Sequence, residues 1–408
     1  MNQKGNSSNT YQNPIELLQK LIQYDTTNPP GNESECIAFI NHLLTQAGVE
    51  TKLLAKSSQR PNLIARLPGQ GNAAPLLLHG HVDVVTTENQ RWQHPPFEGK
   101  IVDGYVWGRG ALDMKSGIVM MLTAFLRAKA ENIKLPGDVI LTILSDEEAY
   151  GDFGAKFLVE AHPEEFTGVR YAIGEFGGYS SSIVKCRLYP IQVAEKQICL
   201  LRVTLRGPGG HGAYPVRGGA MAKLSHLLHR LDTHNLPVHV TPSAQLMFRA
   251  IASTVGGVTG LVIAQLLNPK LTDSLLRSLG ERDHQLAPLF HNTVSPTILH
   301  GSSKINVIPS EVVVELDGRL LPGFRPDDLV NELRTKVGTD AEFEVIRYDP
   351  GAGEPNMGLF ETLSGILKEA DPSGVPVPLL ASFVTDGRFF FDLVFRRMAS
   401  CQCFCRTI

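Results

Sequence analysis

The chain has 408 residues, 43% of them hydrophobic, and this length exceeds one ordinary core, so we expect at least two domains. A formal net charge of −3 argues against general nucleic-acid binding, which needs a basic face to neutralise phosphates. The apolar runs are shorter than the ~20 residues of a membrane span. Residues 1–13 are polar, without the apolar run of a secretory signal, so we expect a flexible arm and a cytoplasmic protein without membrane partners.

Helix-like and strand-like segments alternate along the first part of the chain. Apolar spacing near 3.6 residues predicts helices at 14–24, 33–47, 115–130 and 154–161. Apolar runs that end in polar residues predict strands at 61–67, 76–85, 139–144 and 171–173. This alternation implies crossover connections, and therefore a mixed, mostly parallel α/β sheet flanked by helices. Chemistry in such sheets collects beyond the carboxyl ends of the strands, where polar clusters lie in this sequence.

The pattern changes near residue 195. Further strands are predicted at 199–206, 310–319 and 341–347, with helices at 216–232 and 326–337. A strand–helix–strand–strand–helix–strand order indicates a small α+β domain of the ferredoxin-like kind. We therefore predict a catalytic domain formed by 14–196 and 349–393, an inserted domain at 197–348, and an atypical tail at 394–408.

His81-Val82-Asp83 places two ligand-type side chains two residues apart at the end of a predicted strand. On a strand this spacing points both side chains to one face. An imidazole and a carboxylate so placed suit a borderline cation such as zinc. Because the motif is short, two polar residues that merely end a strand remain an alternative.

Asp113 lies in the segment Gly108-Arg-Gly-Ala-Leu-Asp-Met-Lys-Ser-Gly117, directly before a predicted helix. One interpretation is that its carboxylate caps the helix. The other is a carboxylate that bridges two metals while glycines hold its loop in close packing. Helix capping does not account for the glycines, for Arg109 or for the Met-Lys pair.

Three carboxylates follow the predicted strand 139–144, at Asp146-Glu147-Glu148, and Glu175 follows the next strand. Adjacent like charges raise each other's pKa unless a cation lies among them. One glutamate can then ligate a metal while its neighbour acts as a base toward water. A solvated acidic turn is the competing interpretation.

The order of these motifs resembles the M20 family of metallohydrolases, which includes glutamate carboxypeptidase, succinyl-diaminopimelate desuccinylase, acetylornithine deacetylase and aminoacylase. The resemblance extends from about residue 14 to about residue 392. The matching segments are Leu77–Val85, Trp107–Gly117, Asp146–Glu148, Gly207–Pro215, Asn306–Pro309 and Asp317–Arg319.

The resemblance implies a zinc-exopeptidase-like fold with two Zn²⁺ per subunit, for which Co²⁺ is a substitute, and hydrolysis of an amide bond in a peptide or N-acyl amino acid. Catalysis would be carried by Glu147 as general base and by Asp83, which supports the ligand His81 or assists the reaction. His79 would be structural or support the ligands from outside. The implied metal ligands are His81 and Glu175 at the first metal, Asp113 as the bridge, and Glu148 at the second metal.

The inserted domain would, by the same resemblance, serve as a lid and as the surface for a homodimer. His211 would donate a hydrogen bond on the oxyanion side, against the alternative of an exposed loop histidine. Asn306 and Arg319 would hold the substrate, since arginine offers a fork suited to a carboxylate. An ion pair within the lid is the alternative for Arg319.

The family pattern contains one more histidine near its end, a ligand of the second metal, whereas the last histidine of this chain is His300. The tail 394–408 instead carries Cys401, Cys403 and Cys405. A shifted reading frame, a truncated paralogue, or thiols acting as soft ligands are three explanations. We expect weak or absent occupancy of the second metal site, and the alternative function is a non-catalytic homologue.

Overall fold

The computed structural model describes residues 11–175, 179–183, 186–337, 341–351 and 353–391. They belong to two compact units: unit 1 comprises 1–176 with 385–408, and unit 2 comprises 177–384. Within the described ranges, no helix is both long and apolar enough to cross a membrane. Residues 1–10 of the predicted arm, and the whole predicted tail 394–408, lie outside the described residues.

Unit 1 alternates strands and helices, as its sequence predicts. Its helices are α1 (Pro14–Ile22), α2 (Ser34–Gln46), α3 (Lys115–Ala130) and α4 (Ala155–Ala161). Its strands are β1 (Thr51–Ser57), β2 (Arg60–Leu67), β3 (Leu76–His81), β4 (Lys100–Val102), β5 (Tyr105–Trp107), β6 (Val139–Leu144) and β7 (Tyr171–Ile173).

The main sheet of unit 1 has the strand order β1-β2-β6-β3-β7. β1 pairs with β2 and β2 with β6 in antiparallel fashion, whereas β3 runs parallel to both β6 and β7. The register sets His81 beside Leu144, so the carboxyl ends of β3 and β6 coincide. This confirms the predicted mixed α/β class and puts the polar segments after β3, β6 and β7 at one edge of the sheet.

The apolar core of unit 1 lies between the sheet and the helices α1, α2 and α3. Ile118, Leu122 and Phe125 repeat at helical spacing along α3 and are almost completely buried. They meet Leu21 of α1 and Leu141 of β6 in one cluster. Burial of each such side chain stabilises the fold by about 1.5–3 kcal/mol. The core therefore holds α3, and the loop before it, against the end of β3.

Unit 2 begins with strands and continues through a helical segment into a second strand-rich part. Its strands are β8 (Ser181–Ile183), β9 (Cys186–Glu195), β10 (Gln197–Arg206), β11 (Gly210–His211), β12 (Thr293–His300), β13 (Val307–Ile308), β14 (Glu311–Leu320), β15 (Ala341–Asp349) and β16 (Val375–Ala381). Its helices are α5 (Ala220–Thr233), α6 (Pro242–Val255), α7 (Gly257–Gln265), α8 (Thr272–Ser278), α9 (Asp283–Leu286), α10 (Pro326–Val337) and α11 (Phe360–Ala370).

The larger sheet of unit 2 has the order β12-β14-β10-β15, with antiparallel neighbours throughout. In chain order these strands and the helices α5 and α10 follow the pattern β-α-β-β-α-β. This confirms the predicted ferredoxin-like α+β fold. The helices α6 to α9 fill the long insertion between α5 and β12, for which the sequence predicts no role.

Residues 177–196 and 349–384 group with unit 2, although the sequence predicted boundaries at 196/197 and 348/349. The reason is a second sheet, in which β16 pairs in parallel with β9. Leu188 of β9, Ile251 of α6 and Val377 of β16 then share an apolar cluster. Strands β9 and β16 thus share their core with the helical insertion. The catalytic and lid roles assigned to the two parts remain predictions.

Candidate metal centre

His79 and His81 lie two residues apart near the end of β3, so both side chains point to one face of the sheet, and Gly80 between them faces the other. His81 is 1% exposed, and Gly80 precedes it where α3 approaches the sheet. A Cβ at Gly80 would lie 2.6 Å from Cε of Met114 and 2.9 Å from Cδ1 of Ile118. A Cβ here would have to displace the ends of these two side chains, so glycine lets the start of α3 pack closely against the end of β3.

His81 is the centre of a group of possible metal ligands. Its Nε2 lies 3.1 Å from Oδ1 of Asp113 and 3.3 Å from Oε2 of Glu175. These three ligand atoms lie within 4.8 Å of one another, and they form the one such group among the described residues. Oε2 of Glu147 is 4.0 Å from the same nitrogen. The structure therefore brings together four residues predicted from separate motifs.

Asp83 connects His81 to the acidic turn. Nδ1 of His81 lies 3.0 Å from the carbonyl oxygen of Asp83 and 3.3 Å from its Oδ1. The carboxylate of Asp83 also accepts the backbone N–H groups of Glu147 and Glu148, each at 3.1 Å. Hydrogen bonds to the charged form outweigh burial and lower the pKa of Asp83. With Nδ1 engaged, Nε2 is the ring nitrogen that faces the other carboxylates.

The loop before α3 directs Asp113 toward His81 rather than onto the helix. α3 begins at Lys115, and no side chain caps its first turn. Gly110 in this loop has φ of +80° and packs against Val84 and Lys115. The capping interpretation of Asp113 is therefore wrong. The close-packed glycines belong to the loop that carries its carboxylate to His81.

The acidic turn after β6 is not solvated, so that alternative is also wrong. Asp146 is 1% exposed and the side chain of Glu147 is 12% exposed. Burial, and then repulsion by Glu175, raise the pKa of Glu147 well above its usual range. Burial likewise raises the pKa of Glu148 to about 7. The backbone N–H of Glu148 donates to the carboxylate of Asp83. The side chain of Glu148 lies outside the three-ligand group.

The electrostatics of the site favour a positive charge among these carboxylates. Burial alone would lower the pKa of His81, but hydrogen bonds to Asp113, Asp83 and Glu175 raise it well above its usual value. The carboxylates thus hold a proton at Nε2, at the position where a cation would satisfy them equally. One imidazole nitrogen and two carboxylate oxygens form a donor set that suits zinc. The residues present therefore fit the metal that the family resemblance implies.

Two further residues at this site were missed as functional candidates. Nη1 of Arg388 lies 4.0 Å from Oε1 of Glu147, and its Nη2 donates to the carbonyl of Tyr150 at 3.1 Å. Asp386 is 1% exposed, and neither of its carboxylate oxygens has a hydrogen-bond partner among the described residues. Burial raises the pKa of Asp386 to about 8. The segment Thr385–Arg388 fits the family pattern, but its sequence assigns no role to these side chains.

His79 does not join the ligand group. Its ring lies 4.8 Å from the ring of Phe390, and a Cβ at Gly174 would touch it at 2.4 Å. Burial and the neighbouring His81 lower the pKa of His79 to about 4. These surroundings suit a neutral packing residue, and its predicted structural or supporting role remains a prediction.

The predicted substrate-binding residues all lie in unit 2. His211 pairs with Val307 between β11 and β13, and the carbonyl of Asn306 accepts the N–H of Gly212 at 2.9 Å. His211 and Asn306 therefore share one short ribbon. Arg319 forms a two-pronged ion pair with Asp317, with N–O distances of 2.7 and 3.0 Å. The ion pair that was the alternative for Arg319 is thus present, and a substrate role remains a prediction for all three residues.

Several known proteins resemble this chain. A probable carboxypeptidase S-like 2 from Dictyostelium discoideum is 26% identical over 335 residues, which are 78% of this chain and 63% of that protein. A succinyl-diaminopimelate desuccinylase from Paracoccus denitrificans is 32% identical over 53% of this chain and 56% of its own length. Aminoacylase-1 from Sus scrofa is 28% identical over 53% of each chain. The chain thus spans about half to two thirds of these relatives.

Solved structures share the fold. Human carnosine dipeptidase 1 aligns with a TM-score of 0.69 at 14% identity, covering 95% of this chain and 88% of that one. The dipeptidase Dug1p from Saccharomyces cerevisiae aligns with a TM-score of 0.67 at 16% identity, covering 95% and 88%. The model of peptidase family M20/M25/M40 matches residues 77–403. The chain therefore belongs to peptidase family M20/M25/M40.

Proposed function

We propose that the protein hydrolyses an amide bond in a peptide or an N-acyl amino acid with the help of a divalent cation. The observation that carries this proposal is the convergence of His81, Asp113 and Glu175 within 4.8 Å of one another. Family membership supports it, as do relatives named for carboxypeptidase, desuccinylase and aminoacylase activities. Bound at this group, Zn²⁺ would polarise the scissile carbonyl and lower the pKa of water.

The protein's own groups would move the proton. Oε2 of Glu147 lies 4.0 Å from Nε2 of His81, and Glu147 would take the proton of the attacking water, then pass it to the leaving nitrogen. Its raised pKa suits a group that must both accept and release a proton near neutrality. Asp83 would fix the imidazole of His81, and Arg388 would orient the carboxylate of Glu147.

A second cation is part of the proposal, held more weakly than the first. Asp113 would bridge the two cations and Glu148 would ligate the second, as the resemblance implies. Within the described ranges, His81 is the one histidine in the ligand group, which supports a difference in affinity between the sites. Zn²⁺ is the metal we propose, with Co²⁺ as a substitute.

Unit 2 would act as the lid and hold the substrate. His211 would donate a hydrogen bond to the oxyanion. Asn306 and Arg319 would bind the polar end of the substrate. Arg319 would give up part of its ion pair with Asp317 to do so. We further propose a homodimer formed through this unit. The free thiols of Cys36, Cys186 and Cys199 support a reducing, cytoplasmic setting.

Glu147→Gln tests the catalytic role directly. The amide keeps the shape of the side chain but cannot accept the proton, so kcat should fall about 10²–10⁴-fold. Hydrolysis of N-acyl amino acids and dipeptides is measured with added Zn²⁺ or Co²⁺, together with the metal content of each protein. Metal binding should survive, since Glu147 is outside the three-ligand group.

Glu164→Gln is the matched control, because its side chain is 64% exposed and outside the three-ligand group. It should retain full activity. Equal rates for the wild type and Glu147→Gln would contradict the proposed mechanism. A wild type that binds zinc yet hydrolyses none of these substrates would favour the non-catalytic homologue instead.

A further inference from the structure

The loop after α1 runs beside the end of β3 and is fixed there by its backbone. The N–H of Asn28 donates to the carbonyl of Val84 at 2.9 Å, and the N–H of Val84 donates to the carbonyl of Thr26 at 3.1 Å. The hydroxyl of Thr26 donates to the carbonyl of Val82 at 2.6 Å. These three bonds surround Asp83, so the side chain of Asn28 enters the site from a fixed position.

The amide of Asn28 bridges two buried carboxylates. Nδ2 lies 2.8 Å from Oδ2 of Asp83 and 3.1 Å from Oδ1 of Asp146. Asn28 is 4% exposed, and both acids are almost fully buried. An amide nitrogen carries two N–H groups, so each acid receives one of them. An uncharged donor between two acids offsets their repulsion without adding a further charge.

Asp146 receives its remaining support from the opposite side. Arg60 lies 2.8 Å from Oδ1 of Asp146 and 2.6 Å from Glu33, and Arg60 and Glu33 are both buried. Oδ2 of Asp146 accepts the N–H of Phe153 at 2.9 Å. Arg60 therefore neutralises Asp146. Asn28 is the side chain that joins this buried network to the carboxylate beside His81.

We propose that Asn28 is a positioning residue of the metal centre, whose amide fixes Asp83 and thereby the orientation of His81 and the turn that carries Glu147. This inference rests on the proposed function. The amide of Asn28 donates to Asp83 and Asp146, neither of which is in the three-ligand group, so Asn28 acts through Asp83. Loss of its donor frees Asp83 to turn away from Nδ1 of His81, which weakens the hold on the metal.

The test uses Asn28→Ala, which removes the amide, and Asn28→Asp, which keeps its shape but replaces the donor with a third carboxylate. Zn²⁺ affinity is measured by competition with a chromogenic chelator. Loss of a residue that holds a metal ligand in place by hydrogen bonding typically weakens metal binding about 10–100-fold. We expect a loss of this size in Zn²⁺ affinity for both variants. Asn28→Ser keeps one hydrogen-bond donor and should lose less Zn²⁺ affinity. It also serves as the test if Asn28→Ala or Asn28→Asp fails to fold.

Asn292→Asp is the matched control in unit 2. Asn292 is 1% exposed and its Nδ2 donates to both oxygens of Glu332, at 3.1 and 3.2 Å. The substitution therefore places a carboxylate beside a buried carboxylate, as Asn28→Asp does, but away from the ligands. Its Zn²⁺ affinity should equal that of the wild type, whatever happens to its stability.

A double-mutant cycle separates positioning from general destabilisation. If Asn28 acts through Asp83, Asn28→Ala should have little further effect on Zn²⁺ affinity in an Asp83→Ala background. In the wild-type background, kcat should fall while KM changes little. Full zinc affinity in both Asn28 variants, or additive losses in the cycle, would overturn the positioning role alone. Absence of zinc binding in the wild type would overturn the proposed function and, with it, this role.

Discussion

Lys196 places an ammonium group in the interior of unit 2. The residue is completely buried, and its Nζ donates to the carbonyl of His291 and to the hydroxyl of Thr293, each at 2.9 Å. Burial, and then the nearby Arg319, lower the pKa of Lys196 to about 7, against an opposing effect of Asp317. The folded state therefore disfavours the proton that the unfolded chain retains.

This shift makes the stability of the protein depend on pH in a defined window. Between a pH of about 7 and the ordinary lysine pKa near 10.4, the unfolded chain binds a proton that the folded chain lacks, so the free energy of unfolding rises with pH. Below about 7 both states are protonated and the destabilisation is complete. Relative to Lys196→Met, the wild type should gain stability from pH 7 to pH 10.

Urea unfolding followed by circular dichroism at pH 6, 7, 8.5 and 10 measures the difference between the wild type and Lys196→Met. Subtraction removes the other groups that titrate at alkaline pH. The variant also loses two hydrogen bonds, which shifts the curve by a constant but leaves its slope. Lys52→Met, whose side chain is 61% exposed, should give a flat difference. A flat difference for Lys196→Met too would contradict the lowered pKa.

The family resemblance, rather than residue chemistry by itself, gave His81, Asp113 and Glu175 as candidate ligands. These residues follow or precede elements whose ends meet at one sheet edge, which agrees with their convergence in the structure. Asn28 could not be found in this way. Its partners Asp83 and Asp146 lie 55 and 118 residues away in the chain, and only tertiary structure brings them together. In the sequence, the two prolines after Asn28 indicate the end of a helix. They do not mark Asn28 as a hydrogen-bond donor.

At the scale of elements, the junction between β6 and α4 leaves no room for a side chain. A Cβ at Gly154, the residue before α4, would lie 1.9 Å from the carbonyl oxygen of Ser145. That oxygen is backbone at the end of β6, directly before the acidic turn, and cannot rotate away. The tight contact between Gly154 and Ser145 therefore determines where the turn that carries Glu147 begins.

Gly154→Ala should destabilise unit 1 by at least ~1–3 kcal/mol, the usual penalty of overpacking a rigid site. Both tryptophans, Trp92 and Trp107, lie in unit 1, so fluorescence during urea unfolding reports on this unit. Gly365→Ala in α11 is the control, since nothing lies within 4 Å of its Cβ position. It should stabilise unit 2 by roughly 0.5–1 kcal/mol through helix propensity, measured by circular dichroism. Equal stability of Gly154→Ala and the wild type would disprove the close contact.

The elements that the sequence predicts best are those buried on one face. α3 and β6 have the predicted bounds of 115–130 and 139–144, because their apolar runs face one core. β1 was not predicted, since Thr51–Ser57 is an edge strand in which none of the residues is fully buried and no alternation appears. α7 is also difficult to predict from apolar periodicity, because apolar residues such as Val258 and Leu261 remain exposed on it. Periodicity predicts a face only where a core lies on one side.

At the scale of the whole molecule, the two-unit organisation followed from length and from the change of pattern near residue 195, but the boundaries did not. β9 and β16 are separated by the whole ferredoxin-like part, and their pairing places 177–196 and 349–384 in unit 2. Parallel pairing of distant strands has no local signal in the sequence. The compact units therefore have other bounds than the predicted domains, and the domain boundaries stay a prediction.

The proposed ligand group predicts that the stability of unit 1 depends on metal. A cation that binds the folded state and not the unfolded one stabilises it by RT ln(1 + [L]/Kd), which is about 2.7 kcal/mol at a hundredfold excess over Kd. The melting temperature measured by tryptophan fluorescence should then rise by roughly 5–10 °C with Zn²⁺. EDTA should reverse the rise. His81→Ala should abolish the response because Nε2 is the atom on which the carboxylates converge.

His42→Ala is the control for that experiment, since His42 is exposed on α2 and outside the ligand group. It should keep the full response to zinc. An equal response in His81→Ala and the wild type would mean that zinc binds elsewhere in the chain. Without metal, His81→Ala should unfold at a lower temperature than the wild type, because it leaves the surrounding buried carboxylates without the imidazole that pairs with them. The response to zinc is therefore measured for each variant against its own metal-free melting temperature.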